Sequence, residues 1–259
     1  MLNFKAFFFS PLEQFEVLPL IPLYFKGIDF SITNETIILF IIFFIVRVFF
    51  FSCFNPKDST LNLIPSKFQI LFEMLYKVII SLVVDNLGKE KGQLYFPILF
   101  FIFFFVVCLN LIGLIPYSFT LTSHLIVTFS LAFFIFIALN IICINIHGLG
   151  IFSLFLPSGT SFTLALLLVP IELISYVFKP VSLSIRLFAN MMAGHTLLKV
   201  IAGFAWTLSA CSGILFLCHY VPLLILLPLF GLELGVALIQ SFVFVILICI
   251  YLNDALNLH

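Results

Sequence analysis

A set of ionisable and amide side chains lies within two long apolar segments, residues 162–205 and 208–253. The members that could hold charge or pass protons are Glu172, Arg186, Asn190, His195, Glu233 and Gln240. Histidine and glutamate take up and release protons when their surroundings shift them, whereas arginine keeps its charge. Ionisable residues inside membrane segments usually mark ion pathways. The set therefore indicates a proton pathway interrupted by one fixed positive charge.

Helical spacing places these residues on different faces of the first segment. Asn190 follows Arg186 by four residues and shares its face, whereas His195 follows Arg186 by nine residues and points to the opposite side. Glu172 precedes Arg186 by fourteen residues, which puts it near the same face but about 21 Å away. The proton-binding groups are thus displaced from the cation along or around the helix.

Each residue also has a structural interpretation that the sequence leaves open. Glu233 and Gln240 are seven residues apart and line one stripe of their own helix. Arg186 could be paired with a carboxylate of its own chain, for which Glu233 is the candidate. His195 could be satisfied by a backbone carbonyl, and Asn190 and Gln240 could be ordinary hydrogen-bonding residues between helices.

The composition defines the class of protein. Of the 259 residues, 64% are hydrophobic and 8% are charged, against about 25% charged residues in a typical soluble domain. The mean hydropathy of +1.34 predicts an integral membrane protein. Lys+Arg and Asp+Glu balance at 11 each, so nucleic-acid binding has no support. The cysteines form no C-x-x-C pair, and we expect neither a cofactor nor a metal site.

A single membrane domain over residues 1–259 is expected. Residues 1–34 are broken by prolines and acidic residues and are predicted to lie at a surface, followed by a first span at 35–54. Residues 66–85 carry polar side chains at intervals of four and are typical of an amphipathic helix at the membrane surface. Five of the eleven Lys and Arg residues lie between 55 and 93, so this side should face the compartment of synthesis.

The rest of the chain is dominated by apolar runs. Residues 94–147 predict two spans joined as a helical hairpin. The segments 162–205 and 208–253 are each long enough for a helix of about 60 Å, twice the length of a perpendicular span. Each segment either folds back as two spans or forms one steeply tilted helix, and hydropathy does not decide between them. The prolines that could break or kink them are Pro170, Pro180, Pro222 and Pro228.

Three motifs follow one another along the chain: NLIGLIPYSFTLTSH at 110–124, SLSIRLFANMMAGH at 182–195 and GLELGVALIQSFVF at 231–244. In this order they resemble the helix-turn-helix, the essential-arginine helix and the last helix of subunit a of the F-type ATP synthases, in its mitochondrial form. The resemblance covers residues 60–253 and is loose over the first 34 residues.

The resemblance implies a fold, partners and a location. We expect an all-α integral membrane protein of about six helices, with one amphipathic surface helix and a hairpin of two long, steeply tilted helices over residues 162–253. This hairpin would pack against the c-ring of the synthase, beside a peripheral stalk and other Fo subunits. The implied location is the mitochondrial inner membrane, where the chain crosses the bilayer several times. Nucleotide chemistry would belong to partners, since the chain contains no P-loop motif.

The resemblance also implies roles for individual residues in a proton-translocating stator. Arg186 would face the c-ring as the essential arginine. Glu172 matches the acid of the matrix-side half-channel, and His195 and Glu233 match the polar pair of the half-channel by which protons arrive. The amides that would flank the arginine are Asn190 and Gln240. An antiparallel hairpin with a turn near 212–216 would place His195 opposite residues 231–235, close to Glu233.

The main alternative function is a secondary transporter, since broken helices with charges near the midplane also suit an alternating-access carrier. Such a carrier should contain an internal repeat. Arg186 has no counterpart in the first half of the chain, so the sequence favours the stator subunit.

Overall fold

The structure is a computed structural model that describes residues 15–25, 28–53, 67–115, 118–148, 150, 162–210 and 218–256. Within these residues the chain forms six α-helices: α1 Asn34–Cys53, α2 Lys67–Leu87, α3 Lys89–Gly113, α4 Leu125–His147, α5 Phe162–Ser209 and α6 Tyr220–Leu256. Four short strands precede them: β1 Pro19–Ile21, β2 Tyr24–Phe25, β3 Ile28–Asp29 and β4 Ile32–Thr33. The predicted all-α fold of about six helices is confirmed.

Four helices, α3 to α6, are long and apolar enough to cross a bilayer within the described part of the chain. The two alternatives for the long segments are decided in favour of continuous helices, because α5 has 48 residues and α6 has 37. At 1.5 Å per residue they extend about 72 Å and 55 Å, well beyond a hydrocarbon core of about 30 Å. The prolines inside them, Pro170, Pro180 and Pro228, do not end either helix.

Gly88 separates α2 from α3. Its φ of 81° lies in the region that favours glycine, and its N–H donates to the carbonyl of Val84, which ends α2. A new helix then begins at Lys89, five residues before the apolar run at 94 from which a span was expected. The polar residues 89–93 therefore extend α3 beyond its apolar part.

The core is built around α3, which contacts α1, α2 and α6. The buried faces of α2 and α3 meet α6 in one cluster that includes Ile79, Val83, Val106, Phe244 and Ile248. Of the most apolar 18 residues of α3, 61% are buried within the chain, against 11% for α5. The helix that carries Arg186 therefore presents most of its surface to lipid or to another protein.

The residues before α1 form a short extended segment, which we call the N-terminal arm (residues 15–25 and 28–33). Within it β1 pairs antiparallel with β4, and β2 pairs with β3. Most side chains of residues 16–23 are exposed, whereas Phe15 is buried. The arm therefore contacts the helices at its beginning, at Phe15, and continues directly into α1.

Candidate functional site

The site is built by α5 and α6, which run antiparallel and share one register. Three side-chain contacts define it: Lys179 Nζ to Asp254 Oδ2 at 3.2 Å, Asn190 Nδ2 to Gln240 Oε1 at 2.9 Å, and His195 Nε2 to Glu233 Oε1 at 3.8 Å. In these three pairs the residue number rises along α5 while that of its partner falls along α6, which is the pattern of an antiparallel hairpin. The predicted turn at 212–216 lies outside the described residues, but the expected proximity of His195 and Glu233 is confirmed.

His195 and Glu233 form a buried pair, each less than 10% exposed. Their 3.8 Å separation is too long for a direct hydrogen bond and short enough for an ion pair. Neither His195 Nε2 nor the two Glu233 carboxyl oxygens has a hydrogen-bond partner among the described residues. Each unsatisfied buried polar group costs about 1–3 kcal/mol, so the pair favours occupation by a proton or a bridging water.

Gly194 gives the Glu233 carboxylate the space that it occupies. A Cβ at residue 194 would lie 2.5 Å from Glu233 Oε1 and 2.9 Å from its Cδ. Only a residue without a side chain therefore allows the carboxylate to lie against the backbone of α5. Sequence reasoning did not select Gly194, although its place directly before His195 in the motif was a usable signal.

A small cavity extends from Glu233 between α3, α5 and α6. Its polar lining consists of Asn110, Asn190, Glu233 and Gln240, and its apolar lining of Leu187, Met191, Val236 and Ala237. Its volume is about 10 Å³, close to the roughly 10–15 Å³ that one water molecule requires. Most of the lining surface is apolar, but the unpartnered polar atoms of Asn110, Glu233 and Gln240 beside it suit a single hydrogen-bonded water next to the buried pair.

Asn110 is a second residue that sequence reasoning did not select. It is buried in α3, and its Nδ2 donates to the carbonyl of Ala237 on α6 at 3.2 Å, while its Oδ1 has no partner among the described residues. The Nε2 of Gln240 is likewise without a partner there. The available signal was an amide within the apolar run of α3.

Arg186 is exposed on the opposite side of α5 from His195. Among the described residues no carboxylate lies within salt-bridge distance of it, and Glu233 is close to His195 instead. The alternative in which Glu233 neutralises Arg186 is therefore not observed. Exposed residues at helical spacing around the guanidinium include the small residues Ser182, Ala189 and Ala193, together with Asn190.

Glu172 is not brought to the buried pair. It is half-buried on α5, 23 residues before His195, which is about 35 Å along the helix. A second polar cluster lies two turns from Glu172, where Lys179 contacts Asp254 and sits 4.7 Å from the centre of the Tyr251 ring. In the same region the Tyr176 hydroxyl donates to Asn140 Oδ1 on α4. The six predicted residues thus occupy two separate regions of the hairpin.

Comparison with known proteins gives one consistent result. Residues 36–253 match the family described as ATP synthase A chain. The chain is 54% identical over 254 residues to "ATP synthase subunit a" of Pylaiella littoralis, covering 97% of this chain and 100% of the relative. It is 48% identical to the protein of that name in Chondrus crispus, with 96% and 97% covered, and 44% identical to that of Rhodospirillum rubrum, with 96% and 99% covered.

The matched range covers α2 to α5 and nearly all of α1 and α6. With four helices able to cross a bilayer among the described residues, the chain is a membrane protein that takes part in ATP synthesis and proton transport, together with other Fo subunits. The chain belongs to the ATP synthase A chain family, as a subunit a of the Fo sector.

Proposed function

We propose that the chain is the stator subunit through which protons reach and leave the rotating c-ring. It provides two aqueous half-channels that open on opposite sides of the membrane and do not connect directly. A proton loads a c-ring carboxylate from one half-channel, travels through lipid with the ring and leaves by the other. The neutral acid crosses lipid at far lower free energy than the ionised form, so rotation follows proton flow.

The buried His195–Glu233 pair supports the half-channel by which protons arrive. Both side chains exchange protons and have unsatisfied polar atoms, and Glu233 lines a cavity that suits one water. The Asn190–Gln240 hydrogen bond lies between this pair and Arg186, because Asn190 is four residues after Arg186 and five before His195. The amides therefore lie on a direct path from the proton-binding pair to the guanidinium.

The exposed face around Arg186 supports docking of the c-ring. Its small neighbours, among them Ala189 and Ala193, allow another helix to approach closely. A guanidinium on this face stabilises the ionised form of a passing ring carboxylate and opposes direct proton passage between the half-channels. Glu172, about 21 Å from Arg186 along α5, would line the half-channel on the matrix side.

The relatives support the proposed location and partners. Algal and plant proteins named ATP synthase subunit a are about half identical to this chain over almost its whole length. We place the chain in the mitochondrial inner membrane, with the lysine-rich stretch between 55 and 93 on the matrix side. The peripheral stalk would hold it against the torque of the ring, and partner subunits would carry the nucleotide chemistry.

One observation carries this proposal: Arg186 is exposed and has no carboxylate within salt-bridge distance among the described residues, while Glu233 lies beside His195 instead. A charge left in this way on a membrane helix costs about 2.5–3.5 kcal/mol on insertion scales unless a partner offsets it. A ring carboxylate that moves past Arg186 is such a partner.

The test is replacement of Arg186 in the assembled synthase. Arg186→Ala should abolish both proton-driven ATP synthesis and ATP-driven proton pumping in vesicles, while the complex remains assembled. Arg186→Lys should also fail, because a compact ammonium lacks the planar, persistently charged guanidinium. Arg47→Ala removes the only other arginine, which is exposed on α1, and should leave coupling unchanged. Wild-type coupling in the Arg186→Ala complex would refute the proposal.

A further inference from the structure

The N-terminal arm reaches the proton-binding pair. The Phe15 ring lies edge-on against the His195 imidazole, with the ring centroids 6.4 Å apart and the planes at 74°. Both side chains are buried, at 8% and 7% exposure, whereas Phe30 on the same arm is 62% exposed. Phe15 is therefore a specific contact of the arm with α5.

Asn34, the first residue of α1, holds the arm in place. Its side-chain Nδ2 donates to the carbonyl of Glu16 at 3.2 Å, and its Oδ1 accepts from the N–H of Leu18 at 3.2 Å. Its backbone N–H also donates to the carbonyl of Leu18. These hydrogen bonds fix the residues that directly follow Phe15, so the position of the ring depends on the start of α1.

We propose that the N-terminal arm caps the His195–Glu233 pair and that Phe15 is a positioning residue for the His195 imidazole. The role in transport rests on the proposed function of this pair. Edge-on packing by an apolar ring holds the imidazole in one orientation and keeps water from that side. Proton exchange is then directed towards Glu233, whose Oε1 lies 3.8 Å from His195 Nε2.

The charged and titratable groups around the imidazole come from three elements. Glu233 approaches from α6, Lys199 follows His195 by one turn on α5, and Glu16 is the next residue after Phe15 on the arm. Loss of the Phe15 ring leaves all three in the protein and changes only the packing and hydration of the imidazole. A change in the pH dependence of ATP synthesis by a Phe15 variant would therefore reflect the loss of the contact between the arm and His195.

The first test measures the accessibility of His195 in the assembled synthase. Diethylpyrocarbonate labelling of the peptide that contains His195, followed by mass spectrometry, should be at least threefold faster in Phe15→Ala. Asn34→Ala leaves the ring intact but loosens the arm, and it should accelerate labelling in the same direction. Phe30→Ala is the matched control, because it removes an exposed phenylalanine from the same arm. If His195 were labelled at the wild-type rate in both Phe15→Ala and Asn34→Ala, the proposal that the arm caps the pair would be refuted.

The second test measures transport by the same variants. Phe15→Ala should change the proton concentration for half-maximal ATP synthesis at least threefold, with the maximal rate within twofold of wild type. Phe15→Leu keeps an apolar side chain and should restore most of the wild-type profile. Faster labelling with an unchanged profile would overturn the positioning role.

Failure of the proposed function would give a different result. His195→Gln would then leave proton-driven synthesis intact, while labelling of His195 in the Phe15→Ala complex would still be faster than in wild type.

Discussion

Gly194→Ala is a direct test of the geometry of the buried pair. The added Cβ would lie 2.5 Å from Glu233 Oε1, whereas ordinary van der Waals contact begins at 3.4 Å. The Glu233 carboxylate must therefore move by about 0.9 Å or α5 and α6 must separate. Because Oε1 is also the atom 3.8 Å from His195 Nε2, the displacement changes the path of the proton.

The expected magnitude follows from two opposing effects. Overpacking a tight contact costs about 1–3 kcal/mol, and replacing glycine by alanine within a helix stabilises it by about 1 kcal/mol. The net loss of stability is then between about zero and 2 kcal/mol, small enough for the complex to assemble. If about 1.4 kcal/mol of the distortion appears in the barrier for proton transfer, the rate falls about tenfold.

The assay is ATP-driven proton pumping in vesicles, followed with a pH-sensitive dye and compared with the rate of ATP synthesis. Gly203→Ala is the matched control, because Gly203 lies on the same helix and a Cβ there would meet nothing within 4 Å. It gains the same helix propensity without the clash and should keep wild-type activity. Combining Gly194→Ala with Glu233→Asp withdraws the carboxylate and should lose less activity than the two single changes predict together. Wild-type pumping by Gly194→Ala would refute the reasoning.

Two further predictions concern the contacts between α5 and α6. Glu233→Gln should slow proton uptake. Adding His195→Ala should reduce the rate much less than the two separate effects predict, because both residues serve one step. Fully additive losses in pumping assays would place the two residues on separate paths. Lys179→Met should lower the stability of the detergent-solubilised complex by up to about 1 kcal/mol, the range for exposed ion pairs. Asp254→Asn, added to Lys179→Met, should lower the stability little further, because the ion pair is already lost. Additive shifts of the unfolding temperature would contradict this pairing.

The contact between His195 and Glu233 was expected because the resemblance implied an antiparallel hairpin and helices are regular. Two antiparallel helices with a constant rise bring together residues equally distant from their turn, and the two residues are 38 apart in sequence. Whether the prolines interrupt these helices was not predictable from hydropathy. Pro180 is buried within a continuous α5, and a proline removes only one backbone hydrogen bond that neighbouring helices can compensate.

The residues missed by sequence reasoning share a different property: their roles depend on contacts between elements that are far apart in the sequence. Phe15 meets His195 across 180 residues, and Asn110 contacts Ala237 across 127. Gly194 matters only because the Glu233 carboxylate of α6 lies where a Cβ would otherwise be. Neither helical period nor hydropathy contains this information, since both describe one element at a time.

The pairing of Glu233 with His195 explains how Arg186 stays available. In the proposed function, a Glu233 that neutralised Arg186 would remove the positive charge that separates the two half-channels. His195 is nine residues beyond Arg186, about 13.5 Å along α5, so a carboxylate held there cannot also reach the guanidinium. Because Gly194 has no side chain, the carboxylate can lie against the backbone of α5 next to His195. The same packing that brings Glu233 to His195 therefore leaves Arg186 without a carboxylate among the described residues of this chain, as the proposed contact with a ring carboxylate requires.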